Sequence, residues 1–355
     1  MPDGTPVLPV LPVLLRATAA EAPGARLRVA GLTVVERAVR QLRRMGNTVV
    51  IASDGTCPLP AGTDVRATPD PAALAALRAS LAHPPEVGAD VVRPTNRGFT
   101  GGLHVVDEDS RRAAEDAIFA ELLRGDLGLV ARALNKPVSF RITRYLLCKL
   151  PVTPNQVTIG AGLLGLVGCA LVATGRHALV VAGLFLAHVQ SVLDGCDGEL
   201  ARVRFQQSAT GEWLDTIVDD ALNLALTLSL AMGFSRGAGP RWGVTLALAA
   251  AAMLLVYNAV AYRELLRQGE GGEVLKVRWW WRRGGDMKAM LTGDRRVSVS
   301  RIVLAAGRRD FFVLSWFLLA AVGLLPVVPV YAFSMALPAF VVAIGQLVAA
   351  PPPHP

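Results

Sequence analysis

Apolar residues are spread unevenly along this chain. After residue 154 they gather into six long stretches, near 157–174, 178–193, 214–234, 242–262, 311–328 and 330–350. A helix crossing a bilayer needs about 20 apolar residues, with a range of roughly 17–25, so each stretch is predicted to span a membrane. The second reaches that length only if the Asp-bearing residues behind it continue the helix. Before residue 130 the pattern changes. Leu32, Val35, Val39 and Leu42 recur at helical spacing over 32–45, Gly46 follows, and the apolar run Thr48–Ser53 stops at Asp54 and Gly55. Helix, glycine, buried strand and turn predict an α/β sandwich built on a parallel sheet. Residues 70–81 read as another helix, 103–106 as a short strand, and 110–123 as a helix with Ser110 at its N-cap. Residues 134–150 mix Lys136, Arg141, Arg144 and Lys149 with Val138, Phe140, Ile142, Leu146 and Leu147. That mixture predicts an amphipathic helix lying on a membrane surface, a soluble linker helix being the alternative.

Composition turns this pattern into a domain plan. Hydrophobic residues make up 52% of the chain, and most of that weight follows Pro154. The plan is a soluble α/β domain over 1–130, an interfacial linker helix over 131–152 and an all-α, six-helix transmembrane domain over 153–350. The formal charge is +8, with twelve Lys and Arg between Arg263 and Arg309, in the segment separating the fourth and fifth apolar stretches. A basic loop between spans is what the positive-inside rule produces, so the charge points to a membrane and not to nucleic acid. Turns on the other side carry only Arg176, Arg236 and Arg241, which predicts both termini in the cytosol. Pro2, Pro6, Pro9 and Pro12 stand where a secretory signal would have its apolar core. Cys57, Cys148, Cys169 and Cys196 fit neither a metal motif nor a disulfide framework.

The chemistry is concentrated where the second and third apolar stretches meet. At 100° per residue, Asp194, Asp197, Gly198 and Ala201 fall within an arc of about 100° on one helix. Gly211, Asp215 and Asp219 are spaced four apart and line a face of the next helix. The connection 203–210 is short enough to make the two helices antiparallel neighbours, so the four carboxylates can converge. A carboxylate at the centre of a span costs about 2.5–3.5 kcal/mol, and four together repel one another. Divalent cations resolve both problems, and hard oxygen ligands suit Mg²⁺ or Mn²⁺. Aspartates that merely capped helix ends in water would not need a shared register. Gly198 and Ala201 leave room for a ligand, as does Gly211 unless it serves tight helix packing. Arg202 suits a diphosphate, or else anchors the helix at the interface.

From Asp194 to Asp219 the sequence resembles, at every position of the motif, the CDP-alcohol phosphotransferase family: D-x2-D-G-x2-A-R-x8-G-x3-D-x3-D. The resemblance implies transfer of a substituted phosphate from a CDP-linked donor to an alcohol, with release of CMP. It implies that Asp194, Asp197 and Asp215 hold a two-metal centre of Mg²⁺ or Mn²⁺. Asp219 would complete the second metal site and act as the catalytic base. Gly198, Ala201 and Arg202, with Asp194, Asp197, Gly211 and Asp215, would contact the CDP, as would Thr153, Pro154 and Asn155. A homodimer through the membrane helices is implied as well. Leu134 to Ser139, Thr153 to Thr158 and Asp194 to Arg202 look like a branch in which a cytidylyltransferase-like domain precedes the membrane enzyme. This is similar to inositol-phosphate cytidylyltransferase/di-inositol-phosphate-phosphate synthases, and it makes the first domain nucleotidyltransferase-like. Residues 1–31 lack the Gly-x-Gly-x-Arg loop that such a domain needs for a triphosphate, so it is read as a degenerate relative. Arg263, Arg308 and Arg309 either form a basic pocket for a phosphorylated acceptor or anchor their spans. Trp279, Trp280 and Trp281 read as an interfacial aromatic anchor, and His104, His177 and His188 carry no assigned chemistry. The competing expectations are a phospholipid synthase using CDP-diacylglycerol and, outside this chemistry, an inactive membrane scaffold or a transporter. No internal repeat or broken span of the transporter kind is evident.

Overall fold

A computed structural model describes residues 12–17, 27–44, 48–53, 64–67, 86–88, 91–92, 103–122, 130–268, 272, 274, 277, 279–280 and 308–349. The chain forms two units. The first comprises Met1–Gly125 together with Cys148–Leu150 and Arg202–Gln206, and the second holds the remaining residues.

In the first unit the elements run β1 (Pro12–Ala17), β2 (Arg28–Val29), β3 (Leu32–Thr33), α1 (Val34–Arg44), β4 (Thr48–Ser53), β5 (Asp64–Ala67), β6 (Glu86–Gly88), β7 (Val91–Val92), β8 (Leu103–His104) and α2 (Glu108–Leu122). The sheet order is β5-β4-β1-β6 with every pairing parallel, as the helix–glycine–strand pattern predicts. The helix expected over 32–45 begins at Val34, because Leu32 and Thr33 first pair with Arg28 and Val29 in a hairpin. Ala30 (φ 49°) and Gly31 (φ 83°) turn that hairpin in the left-handed region, as a tight two-residue turn requires. Thr33 and Glu36 then close a reciprocal cap on α1, with the Glu36 amide donating to Thr33 Oγ1 at 3.2 Å and the Thr33 amide donating to Glu36 Oε2 at 3.1 Å. In α2 the N-cap is Asp107 and not Ser110. The Ser110 amide donates to Asp107 Oδ1 at 2.8 Å, and the Asp107 amide donates to Ser110 Oγ at 3.0 Å. The helix therefore starts two residues earlier than expected, with Ser110 inside its first turn. The helix expected over 70–81 lies outside the described residues.

The second unit is helical. A short π-helical turn, Ala131–Asn135, leads into α3 (Lys136–Tyr145). Then follow α4 (Pro154–Ala173), α5 (His177–Arg204), α6 (Ala209–Gly233), α7 (Trp242–Gln268), α8 (Arg309–Ala321) and α9 (Val327–Val348). Among the described residues, five helices are long and apolar enough to cross a membrane: α4, α5, α6, α7 and α9. The stretch expected as a single span over 311–328 instead breaks. α8 ends after 13 residues, Gly323 turns the chain at φ 82°, and the next helix starts behind Pro326. Thirteen residues rise about 20 Å, against a hydrocarbon core of about 30 Å.

Small residues set how closely these helices approach. A Cβ on Gly168 would stand 2.8 Å from the Gly183 carbonyl oxygen, and one on Gly183 would stand 2.5 Å from the Gly168 oxygen. α4 and α5 thus cross backbone to backbone. Gly162 and Gly165 give the same freedom against α6, where Val218 and Leu222 pack into the space. The interior holds Leu184, Leu230, Ala247, Trp316 and Val328. Leu163, Val167, Leu255 and Val341 are exposed, while Gln190, Glu199 and Thr227 are buried. Apolar outside with polar groups turned inward is the arrangement a bilayer selects. α3 shows it on one helix: Val138 is exposed while Ser139 and Thr143 are buried.

Candidate active site

The helix α5 continues past its apolar part to Arg204, which places Asp194 and Asp197 in regular helix. α6 begins at Ala209, where the Ser208 hydroxyl accepts the Gly211 amide at 3.0 Å. That cap sets the phase of the turns carrying Asp215 and Asp219. Ligand atoms of Asp194, Asp197 and Asp215 then lie within 4.8 Å of one another. The face read from 100° per residue on α5 and the face read from four-residue spacing on α6 meet at these three carboxylates.

Asp219 is placed differently. It lies outside that cluster of three and is bonded by the guanidinium of Arg309, 90 residues further along the chain. Arg309 also donates through Nη2 to Gln190 Oε1 at 2.5 Å, and its Nη1 lies 4.0 Å from Asp194 Oδ1. It therefore enters the carboxylate site itself. Arg308 instead pairs with Asp310 at 3.5 Å, and Asp310 also accepts the Ala131 amide at 2.8 Å. Arg263 is exposed on α7, and no described hydrogen bond or ion pair joins it to the carboxylates.

The residues expected around the nucleotide take up positions at the helix ends. Thr153 caps α4, accepting the Gln156 amide at 3.3 Å, and Pro154 occupies the first helical turn. Asn155 Oδ1 is 3.3 Å from where a Cβ on Gly211 would stand, so the start of α4 and the start of α6 lie side by side. The Gly198 amide donates to the Asp197 carboxylate. Ala201 is half-buried, and Arg202 is exposed on the last turn of α5.

Three buried polar residues without an assigned role lie on α4 and α5. The Thr158 hydroxyl donates to Asp197 Oδ2. Gln190, buried one turn before Asp194 on the same face, holds Arg309. Glu199 is fully buried and accepts from Lys136 Nζ at 2.7 Å, Ser139 Oγ at 2.6 Å and Thr143 Oγ1 at 2.8 Å. Thr158 and Gln190 were readable in principle, being polar residues four positions from Pro154 and Asp194 in apolar helices. Of the tryptophans expected as an aromatic anchor, Trp280 is exposed and Trp279 is not. Trp279 is buried, stacked on Tyr257 at 5.6 Å, and the Trp280 amide donates to Gln346 Oε1 at 2.8 Å. Both pack against the helices, while Trp281 lies outside the described residues.

The donor set fits a hard divalent cation. It consists of carboxylate oxygens alone, as Mg²⁺ and Mn²⁺ prefer. Asp194 Oδ1 is buried without a hydrogen-bond donor, an arrangement that is costly unless a cation serves it. Asp194, Asp197 and Asp215 are the residues that would hold such an ion.

A helical membrane unit with carboxylates from two antiparallel helices converging inside it is the class that fold and site define. Residues 151–344 match the family model described as CDP-alcohol phosphatidyltransferase, and the chain belongs to that family. Its relatives include proteins named bifunctional IPC transferase and DIPP synthase. The protein of that name from Aquifex aeolicus is 43% identical over 105 residues, covering 30% of this chain and 23% of the relative. That from Thermococcus kodakarensis is 36% identical over 125 residues, 34% of this chain and 28% of the relative. That from Archaeoglobus fulgidus is 36% identical over 122 residues, 34% of this chain and 24% of the relative. The matched part spans only about a quarter of these curated relatives.

Proposed function

We propose that this chain transfers a substituted phosphate group from a CDP-linked donor to an alcohol acceptor and releases CMP. The observation that carries the reading is the convergence of Asp194, Asp197 and Asp215 within a helical membrane unit. In the reaction the acceptor oxygen forms a bond to the donor phosphorus distal to cytidine, and the bond from that phosphorus to the CMP oxygen breaks. CMP leaves with the electron pair, and the hydroxyl proton passes to a carboxylate. Asp219 is that base, since it lies one turn from Asp215 and outside the cluster of three. Gly198, Ala201, Gly211, Thr153, Pro154 and Asn155 shape the nucleotide site, and Arg202 contacts the diphosphate. Asp194, Asp197 and Asp215, with Asp219 for a second ion, would hold Mg²⁺ or Mn²⁺, two per site, which would supply charge neutralisation of the diphosphate and polarisation of the phosphoryl group.

The acceptor carries an anionic group in this reading. Arg309 brings a guanidinium to the same carboxylates that handle the hydroxyl, which suits a phosphorylated polyol. The relatives' names favour an inositol-phosphate-type acceptor. The first unit is proposed as a nucleotidyltransferase-like domain without catalysis of its own. The protein is proposed to sit in the cytoplasmic membrane as a homodimer with both termini and the site facing the cytosol. A six-span arrangement would count α8 as a further crossing.

The test uses purified full-length protein with Mg²⁺ or Mn²⁺, CDP-inositol or CDP-diacylglycerol, and a panel of alcohols with and without phosphate. Metal-dependent CMP release that requires a phosphorylated alcohol is the expected result. Release from CDP-diacylglycerol with unphosphorylated acceptors would establish the phospholipid synthase instead. Silence across the panel would leave an inactive scaffold.

A further inference from the structure

Glu199 lies inside the motif that carries the aspartates, yet it points away from them. It follows Asp194 by five positions, about 140° round the helix, and its side chain is fully buried. A buried carboxylate needs a charge partner and hydrogen bonds. Here both come from α3: the Lys136 ammonium at 2.7 Å and the hydroxyls of Ser139 and Thr143 at 2.6 and 2.8 Å. The position of Lys136 makes this more than a tie between helices. Its Nζ is 3.6 Å from where a Cβ on Gly195 would stand, and Gly195 is the neighbour of Asp194. The ammonium therefore lies next to the residue adjoining Asp194, with Glu199 Oε1 4.0 Å from the same point. The bonds of Lys136 Nζ go to Glu199.

We propose that Glu199 is a positioning residue that holds the Lys136 ammonium away from Asp194, so that the aspartate stays open to a divalent cation. The role rests on the phosphotransfer reading only for its consequence in catalysis. Its immediate effect is on cation binding, which is measurable without turnover. Glu199→Gln keeps the side chain's size and one oxygen for the hydroxyls but removes the charge that retains Lys136. The ammonium then turns to Asp194 and occupies it as a rival to the metal. Removing the rival as well should restore the site. A residue that merely tied α3 to α5 would behave in the opposite way, because the second substitution would leave the tie broken.

Mn²⁺ binding to the full chain in detergent, followed by electron paramagnetic resonance of the free ion, separates these cases. Glu199→Gln is expected to weaken Mn²⁺ binding about tenfold, the lower end of what partners of metal ligands contribute. Glu199→Asp and the double variant Lys136→Met/Glu199→Gln are expected to bind within about threefold of the wild type, for lack of a free competing ammonium. Unchanged binding in Glu199→Gln, or a double variant as weak as the single one, would overturn the proposal. Should Glu199→Gln fail to fold, the double variant decides alone: it buries no unpaired charge, and tight Mn²⁺ binding supports the role while a tenfold loss refutes it. CMP release is followed in parallel. The expected binding pattern without CMP release from any donor would sink the phosphotransfer reading and leave the role of Glu199 standing.

Discussion

Asp215 and Asp219 sit one helical turn apart, yet their surroundings separate them. Asp215 belongs to the cluster whose ligand atoms lie within 4.8 Å, whereas Asp219 is bonded by Arg309. Substituting them should therefore give different defects. Asp215→Asn is expected to abolish tight Mn²⁺ binding in a metal titration, and CMP release with it. Asp219→Asn is expected to keep binding at the cluster while CMP release falls by about 10²–10⁴-fold, the usual contribution of a general base. If the second cation depends on Asp219, the same titration should show its stoichiometry fall from two to one; an unchanged count would place that ion elsewhere. Arg309→Lys keeps the charge but loses the fork. It should raise KM for a phosphorylated acceptor at least about tenfold, the effect of losing about 1.4 kcal/mol, with KM for the CDP donor unchanged in steady-state assays. The motif spacing made the aspartates legible, because helical periodicity determines which residues share a face. It could not make Arg309 legible as their partner, since no periodicity relates positions 90 residues apart.

At the scale of elements, the predictions concern how helices meet and how they begin. The crossing of α4 and α5 leaves no room at Gly168 and Gly183, where a Cβ would meet backbone oxygen at 2.8 and 2.5 Å. Backbone cannot yield as a side chain can, so Gly183→Val should cost about 1–3 kcal/mol from overpacking. Thermal unfolding in detergent checks this, with Gly160→Ala as the control, since a Cβ there would meet nothing within 4 Å. The start of α2 carries a pH dependence. The side-chain and backbone hydrogen bonds of Ser110 hold the Asp107 carboxyl below its ordinary range. A lowered folded-state value means that the cap's stabilisation is present above the unfolded carboxylate pKa and is lost as pH falls through the folded one. Amide exchange in the first turn of α2, corrected for intrinsic rates, should accelerate over that acid window, and Asp107→Ala should remove the dependence. In the sequence both residues are cap formers, and only the folded turn decided which of them stands first.

For the whole molecule, metal and membrane carry the consequences. A cation that binds the folded cluster alone should raise the thermal midpoint of the wild type, by the equivalent of about 2.7 kcal/mol at a hundred times its Kd. It should leave Asp215→Asn unmoved, and a chelator should reverse both the shift and CMP release. The long apolar stretches, the change of pattern near residue 130, the parallel α/β character before it and the shared faces of the aspartates were all determined by the sequence itself. Each follows from local periodicity and from the cost of exposing apolar or burying polar groups. Other features were decided only in three dimensions. Gly323 and Pro326 end one expected span after 13 residues. Trp279 goes into the packing against Tyr257. Lys136 finds Glu199 across 63 residues, and Arg309 finds Asp219 across 90. Such pairs depend on which helices become neighbours, and that is determined by close packing summed over the unit, which no local pattern records.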